Sequence, residues 1–549
     1  MQNYYLRSLS FLLGVSVCLS FSKTTSAVDL SAEHIKAVHR HRRIVVNFDV
    51  IHGDRHFTTR PVPELVQHRF GYVDDPSIHI DSIWWNWGEG NQTPYASKYL
   101  PLYKHEGYQR WIDQGIDIVK VFLDETRKRN IEVFFSHRMN GSDNDLGPFE
   151  YDNLPAKKNN PHLLFQLPWG AKVWNFAHKE VHDYVIRNLM EVVEKYDFDG
   201  IDLDFARGVV FPAGEGWNNR DQLTSFVRRL RVKLLEIEQT RGRPFLLSAR
   251  VPQDLMGCHY DGIDVETWTG ENLIDIYAIG VRSLGVDVRE FRDMIGKQPI
   301  RVYVSLDDHH SADGYMWPPI EVFRGVFSNW YHQGTDGIQA FNFAYHGKPL
   351  HKQAYQEMAH PEGLRLLDKH FVLARRGGGH GTSVIPNPED WSTPRHMYAN
   401  TNMFAPLPAP LDPRGKADTL LKMYIGDDFN TESEQIQQIR LRLLLNDPTT
   451  RDLPDEKTWT QTLIRHFRGV DFLYNSPPRK GVEKRLQLRV NNILLTEPVV
   501  EDGWLVYHDV DPRVFAVGPN LVGMLLPARA ADADSPMLIE KLEVHVAYH

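Results

Sequence analysis

Cysteine is almost missing from this 549-residue chain, which holds only Cys18 and Cys258. A disulfide framework is thereby excluded, and an extended hydrophobic core must supply the stability. Beyond residue 30 there is no apolar run long enough to span a bilayer. Basic runs are lacking too, and 62 Lys and Arg stand against 71 Asp and Glu, for a formal charge of −9. Without a basic stripe to follow phosphates, a nucleic-acid partner is excluded. No glycine-rich nucleotide loop, serine-centred elbow or zinc-binding helix motif occurs, so neither a cofactor nor a metal is expected.

What the chain does have begins with its N-terminus. Arg7 precedes an apolar stretch from Leu9 to Phe21, followed by small residues, with Thr25 and Ala27 at cleavage-site spacing. Residues 1–27 therefore read as a secretory signal peptide, and the mature protein is expected outside the cytoplasm or in a periplasm. Its removal takes Arg7 and Lys23 and no acid, moving the formal charge from −9 to −11. Cys258 is then alone and reads as a buried apolar residue.

From about residue 43, short β-branched runs alternate with helical patterns. Strands are expected within 43–50, 78–87, 131–139, 196–207, 245–251, 274–280, 300–306 and 337–343. Eight such βα units predict a (β/α)8 barrel over residues 40–375, in an α/β fold. A linker or wrapping segment is expected at 376–415, where "RRGGGHG" and "APLPAPLDPRG" fall. Over 416–549 the alternation stops, and strand-like runs separated by turn residues predict an all-β sandwich domain.

Active sites of such barrels lie at the C-terminal strand ends. The stretch "YDFDGIDLDFAR" (196–207) places acids among core residues. Alternation sends Ile201, Leu203 and Phe205 outward and Asp202 and Asp204 inward, with Asp204 nearer the mouth. Asp197 and Asp199 fall in turn or outward positions and read as structural. Glycosidic hydrolysis needs two carboxyl groups across the bond. Asp204 is the first candidate, Asp202 a supporting one, and Asp307 or Asp308 in "VSLDDHH" the second carboxyl, with Asp49 and Glu89 weaker.

Arginines at the strand ends, Arg138, Arg207, Arg250 and Arg282, are candidates for clamping a sugar carboxylate or sulfate, or for pairing with strand-end aspartates. His137, Asn140 and His309 sit at the same ends and are read as substrate contacts. "WWNWGEG" supplies Trp85 and Trp87 as sugar-stacking candidates, although alternation forces at least one tryptophan of the run into the core. The long stretch from about 139 to 174 is expected to form a lid or binding wall. Asp/His clusters at 49–56 and 307–310 leave metal-assisted chemistry as an alternative, without a recognised ligand spacing.

The run "NPHLLFQLPWGAKVWNFAHKEVHDYVIRNLMEVVEKYDFDGIDLDFAR", with "LSARVP" and "GIDVETWTGENLIDIYAIG", resembles the family-10-like glycosyl hydrolase barrels of bacterial genomes. That resemblance implies a secreted glycosidase barrel over roughly residues 40–350, with a carbohydrate as its partner. "DGIDLDF" is also similar to the strand-four signature of family-18 chitinases, whose catalytic glutamate would fall where this chain has Ala206. The Asn-Glu pair of true family-10 xylanases is likewise missing. The second carboxyl must therefore come from another strand, unless the barrel only binds carbohydrate.

Overall fold

The computed structural model describes residues 27–50, 57–88, 90–103, 106–140, 154–167, 171–206, 208–212, 214–280, 283–308, 315, 317–343, 349–376, 404–446, 481–527 and 536–549. Nearly all of the expected signal peptide lies outside them. Eight parallel strands close into one barrel in sequential order. They are β1 (Ile44–Asp49), β2 (Ser82–Asn86), β3 (Glu132–Arg138), β4 (Gly200–Asp204), β5 (Leu246–Val251), β6 (Ile276–Ile279), β7 (Arg301–Leu306) and β8 (Gly337–Phe341). Each falls inside the stretch that its sequence pattern predicted.

Alternation sorts their side chains into two cores. Ile201 and Leu203 of β4 join the large core shared with the surrounding helices. Val45, Trp84, Phe134, Leu246, Ile276, Ala278 and Tyr303 form a separate cluster inside the barrel. Apolar burial on both faces of the sheet is what a parallel barrel requires.

The N-terminal face carries a device that recurs at every second strand. Asp81, Asp199, Asp275 and Asp336 each precede an even-numbered strand and face the start of the odd strand before it. Their backbone N–H groups donate to the carbonyls of Ile44, Val133, Leu247 and Val302, at 2.8–3.0 Å. The N–H of each of those four residues donates back to the aspartate's carboxylate, at 3.1, 2.9, 2.7 and 2.8 Å respectively. The carboxylate thus satisfies a donor that the first turn of the ladder leaves open.

Cations close the other side of three of these aspartates. Asp199 meets Arg127 and Arg243, and Asp336 meets Arg292 and Arg301. Asp275 meets Arg231 at 2.7 Å and the buried His34, from the N-terminal helix Ala32–Val38, at 2.8 Å. Among the described residues Asp81 has only the exposed His79, at 3.1 Å.

The C-terminal region folds as two packed antiparallel sheets, matching the expected sandwich. One runs β9 (Lys369–Val372), β18 (Leu538–Tyr548), β12 (Ile436–Asn446), β16 (Trp504–Tyr507) and β15 (Val499–Glu501), with β10 (Ala409–Pro410) beside β18. The other runs β11 (Thr419–Ile425), β17 (Gly518–Leu525), β13 (Gln487–Val490) and β14 (Ile493–Leu495). Both sheets contribute to a second core containing Leu421, Leu441, Val522 and Val544.

One expected boundary shifts. The sandwich takes its first strand, β9, from residues assigned by sequence to the barrel, because the chain passes into it shortly after helix Pro349–Met358. β10 likewise lies within the segment expected to be a linker.

The two units meet along helix Ile320–Gln333. Asn329 donates to the Tyr424 carbonyl at 3.0 Å and accepts from the Gly426 N–H at 2.7 Å. A Cβ on Gly426 would stand 2.6 Å from the Ser328 carbonyl, so only glycine permits this approach. Among the described residues no helix is long and apolar enough to cross a membrane.

Unequal partners predict unequal costs for losing two of the base carboxylates. Asp275→Ala strands a buried arginine and histidine, and is expected to lose about 3–5 kcal/mol. Asp81→Ala exposes backbone donors near solvent, and is expected to lose about 1–2 kcal/mol. Denaturant unfolding of both variants checks the ranking, and equal losses would contradict it.

Candidate active site at the barrel mouth

Strand pairing brings charges of alternating sign side by side. The register sets Arg138 of β3 beside Asp204 of β4, and Asp204 beside Arg250 of β5. Asp204 lies 3.5 Å from the Arg250 guanidinium through Oδ2, and its Oδ1 accepts the Ala206 N–H at 2.9 Å. The Arg250 guanidinium also lies 4.2 Å above the ring of Phe341, at the end of β8. Arg138 donates to Asp49 Oδ2 at 2.6 Å. Asn342, just beyond β8, donates to the same oxygen and accepts the Asp49 N–H, both at 2.9 Å. Asp49, Arg138, Asp204 and Arg250 are all buried.

Two residues before Asp204, on the same wall, lies Asp202. Asn47 donates to Ser136 Oγ at 2.9 Å, and Ser136 Oγ donates to Asp202 Oδ2 at 2.8 Å. Burial first, and the charge of Asp204 second, push the Asp202 carboxyl up to about 7. The Ser136 hydroxyl and Arg250 offset this only in part. Asp202 is thus positioned to hold a proton under Asp204 near neutral pH. Nearby, Asn47 Oδ1, Ser305 Oγ and both amide atoms of Gln339 are buried without a hydrogen-bond partner among the described residues.

The geometry separates the two aspartates after β7, which sequence leaves equivalent. Asp308 accepts from His351 of helix Pro349–Met358 at 2.7 Å, and that imidazole stacks on Phe343 at 4.0 Å. Asp307 shares the parity of Tyr303, whose ring belongs to the barrel-interior cluster. Asp307, buried and one residue past β7, is thereby left as the rim candidate of the pair, whereas Asp308 is engaged by the neighbouring helix.

Several expected substrate contacts lie elsewhere. Trp85 is fully buried on the helical side, donates to Thr126 Oγ1 at 2.9 Å and packs on Phe70 and Phe122. The inward tryptophan is Trp84, stacked on Phe134 inside the barrel. Trp87 also points outward, edge-on to Phe122. With His137, it lines a small cavity behind β3 that includes Gln92, Tyr95 and Asn188. His137 has the opposite parity to Arg138, and burial lowers its imidazole to about 4. Asn140 is a structural clamp, donating to the Trp174 and Val209 carbonyls and accepting the Trp174 N–H.

Glu89, Arg207, Arg282 and His309 lie outside the described residues, as do most of the two Asp/His clusters. Among the described residues no group of three or more His, Cys, Asp and Glu is arranged to hold a metal. The long stretch after β3 contains a short hairpin, Leu164–Gln166 with Lys172–Trp174. Sequence reasoning missed Asn47, Ser136, Phe341, Asn342 and His351. Inward parity within β1, β3 and β8 is the available signal for Asn47, Ser136 and Phe341.

The Asp202 carboxyl has a signed consequence for stability. Folded, it keeps its proton to about pH 7, whereas unfolded it releases it near the ordinary 3.8. Raising pH from 4 to 7 therefore favours the unfolded state through this group, by roughly 1–4 kcal/mol. His137 works in the opposite direction over part of that range, so the comparison must be between wild type and Asp202→Asn. Relative to wild type, the variant is expected to gain stability as pH rises from 4 to 7, measured by denaturant unfolding. A constant difference would contradict the assignment.

No curated protein sequence matches the chain significantly. Among solved structures, a protein of Ruminiclostridium thermocellum described as hypothetical is 18% identical, with 39% of this chain and 98% of that chain covered and a TM-score of 0.25. A chitinase from Rhizomucor miehei is 12% identical, covering 58% and 100%, with a TM-score of 0.33. An alpha-amylase from Geobacillus thermoleovorans is 12% identical, covering 89% and 98%, with a TM-score of 0.36. The family model Glycosyl hydrolase-like 10 matches residues 66–224, the segment that carries β2, β3 and β4. Over that segment the chain matches the family-10-like glycosyl hydrolase group that its sequence resembles.

Proposed function

We propose that the protein is an exported glycoside hydrolase acting on a polysaccharide or its oligosaccharides. One observation carries this reading: Asp204 stands on the inner wall at the mouth, between Arg138 and Arg250 in the strand register, with Asp307 on the barrel-facing parity of β7. The family match over β2–β4 supports it.

In this reading Asp307 gives its proton to the leaving glycosidic oxygen as the bond to the anomeric carbon breaks. Asp204, as a carboxylate, either bonds to that carbon to form a glycosyl ester that water then hydrolyses, or takes a proton from the water that bonds to it directly. The separation of the two groups determines which, hence retention or inversion. Arg250 and the Ala206 N–H orient Asp204, while Asp202 supports it from below. Arg138 and Arg250 each pair with a protein carboxylate, so a neutral glycan needs no further cation and an anionic one must find part of its charge complement elsewhere.

A second reading, carbohydrate binding without cleavage, draws on Ala206, which occupies the place of the acid in chitinase-like strands. Incubating wild type and Asp204→Asn with neutral, uronic and sulfated glycans separates the two. Reducing ends released by wild type, and lowered on the order of 10³-fold in a folded Asp204→Asn, are expected. Binding with no release by either protein would establish the second reading, and equal turnover would remove Asp204 from the mechanism.

A further inference from the structure

Resting on the carbohydrate reading above, we infer that Trp317 is a stacking platform for a sugar ring, held in place by the C-terminal sandwich through Tyr315. Trp317 belongs to the connection leaving β7, the strand that leads into Asp307. Its side chain is 45% exposed, and the ring makes no ring or cation contact among the described residues. Trp217, the exposed tryptophan of the β4 connection, differs: His259 lies 4.1 Å from its ring and the Arg220 guanidinium 4.7 Å away. An exposed indole on the connection that follows Asp307 and Asp308 presents an apolar face suited to the C–H face of a sugar.

The backbone beneath Trp317 is in an unusual state. Its φ is +49°, a left-handed conformation unfavourable for so bulky a residue, and the next residue is Pro318. Such conformations persist where surrounding contacts impose them, and they concentrate at functional sites. The Trp317 N–H donates to the Asp308 carbonyl at 2.6 Å, closing the connection on the end of β7. Two residues earlier, Tyr315 is buried and its hydroxyl donates to Glu543 Oε1 of β18 at 2.9 Å. The Lys541 ammonium lies 4.6 Å over the Tyr315 ring. Glu543 is itself fixed by His545 at 2.7 Å and Arg442 at 3.2 Å. The sandwich thereby grips the connection immediately beside the exposed indole. Trp317 is the contact residue, and Tyr315 and Glu543 are positioning residues.

The test measures binding, so it does not depend on cleavage. In an Asp204→Asn background, affinity is measured for the soluble glycan of the panel that binds tightest, alongside the melting temperature. Trp317→Gly removes the ring and suits the positive φ. It is expected to weaken binding roughly tenfold while leaving the melting temperature equal or higher. Trp317→Phe is expected to restore most of the affinity. Tyr315→Phe and Glu543→Leu are each expected to weaken binding roughly threefold, and their double variant no more than either alone. Unchanged affinity in Trp317→Gly overturns the platform, and additive losses overturn the coupling through Tyr315. Should Glu543→Leu fail to fold, Tyr315→Phe against Trp317→Gly carries the same cycle. If the Asp204→Asn protein binds no glycan and wild type cleaves none, the carbohydrate reading itself fails. Binding that is indifferent to Trp317 sinks only this inference.

Discussion

The barrel depends on four carboxylates that substitute for missing backbone partners at its N-terminal face. At the start of each odd strand one backbone N–H, that of Ile44, Val133, Leu247 or Val302, is bonded to a side-chain carboxylate instead of a neighbouring strand's carbonyl, and a buried donor without such a partner is costly. Asp81, Asp199, Asp275 and Asp336 each close that gap reciprocally, with the same two backbone groups in every case. The interaction ties β1 to β2, β3 to β4, β5 to β6 and β7 to β8. It gives the eight-strand closure a fourfold internal order, and the strand directions set at this face fix which residues reach the other.

Most of that fold is legible in the sequence because the barrel imposes a strong period: short β-branched runs, helical spacing between them, and turn residues at the joints. The aspartates of "DFDG" and "TDGI" are visible too, but their shared role is not. Each acts on a strand more than thirty residues away, a relation that only the closed sheet creates. The sandwich was legible as a class but not at its start. Lys369–Val372 is too short to announce itself, and its pairing with β18 is again a long-range fact. β11 and β12 show the alternating burial of half-buried strands, the ordinary pattern of a sheet with one face on the core.

At the mouth, legibility followed the alternation rule where that rule was applied strictly. Asp202, Asp204, Arg138 and Arg250 lie on the inner parity, and the register brings them together. Trp85 and His137 have the outer parity, and the helical layer claims them. Position at a strand's end was mistaken for orientation toward its mouth. Asn140 shows a different limit: beyond the strand the period-two rule lapses, and its amide is engaged by the backbone of the hairpin and of the β4 connection. The choice between Asp307 and Asp308 turned on His351, which comes from a helix after β8 and has no sequence signal linking it to β7.

The two ends of the barrel treat the same side chain in opposite ways. Asp275 and Asp202 are both aspartates with almost no exposed surface, and burial alone raises the carboxyl in each. Asp275 nevertheless ends at about 2, because Arg231 and His34 converge on it. Asp202 ends at about 7, because burial and the charge of Asp204 outweigh what the Ser136 and Ser248 hydroxyls and Arg250 offer the carboxylate. Nothing in burial distinguishes them; the partners do. A barrel that can satisfy a buried aspartate this fully at one end, yet leaves one paired with a like charge at the other, has accepted a local loss of stability at the face where such barrels carry their chemistry. The left-handed backbone of Trp317, in the connection leaving β7, is a second local rule relaxed on the mouth side of the barrel.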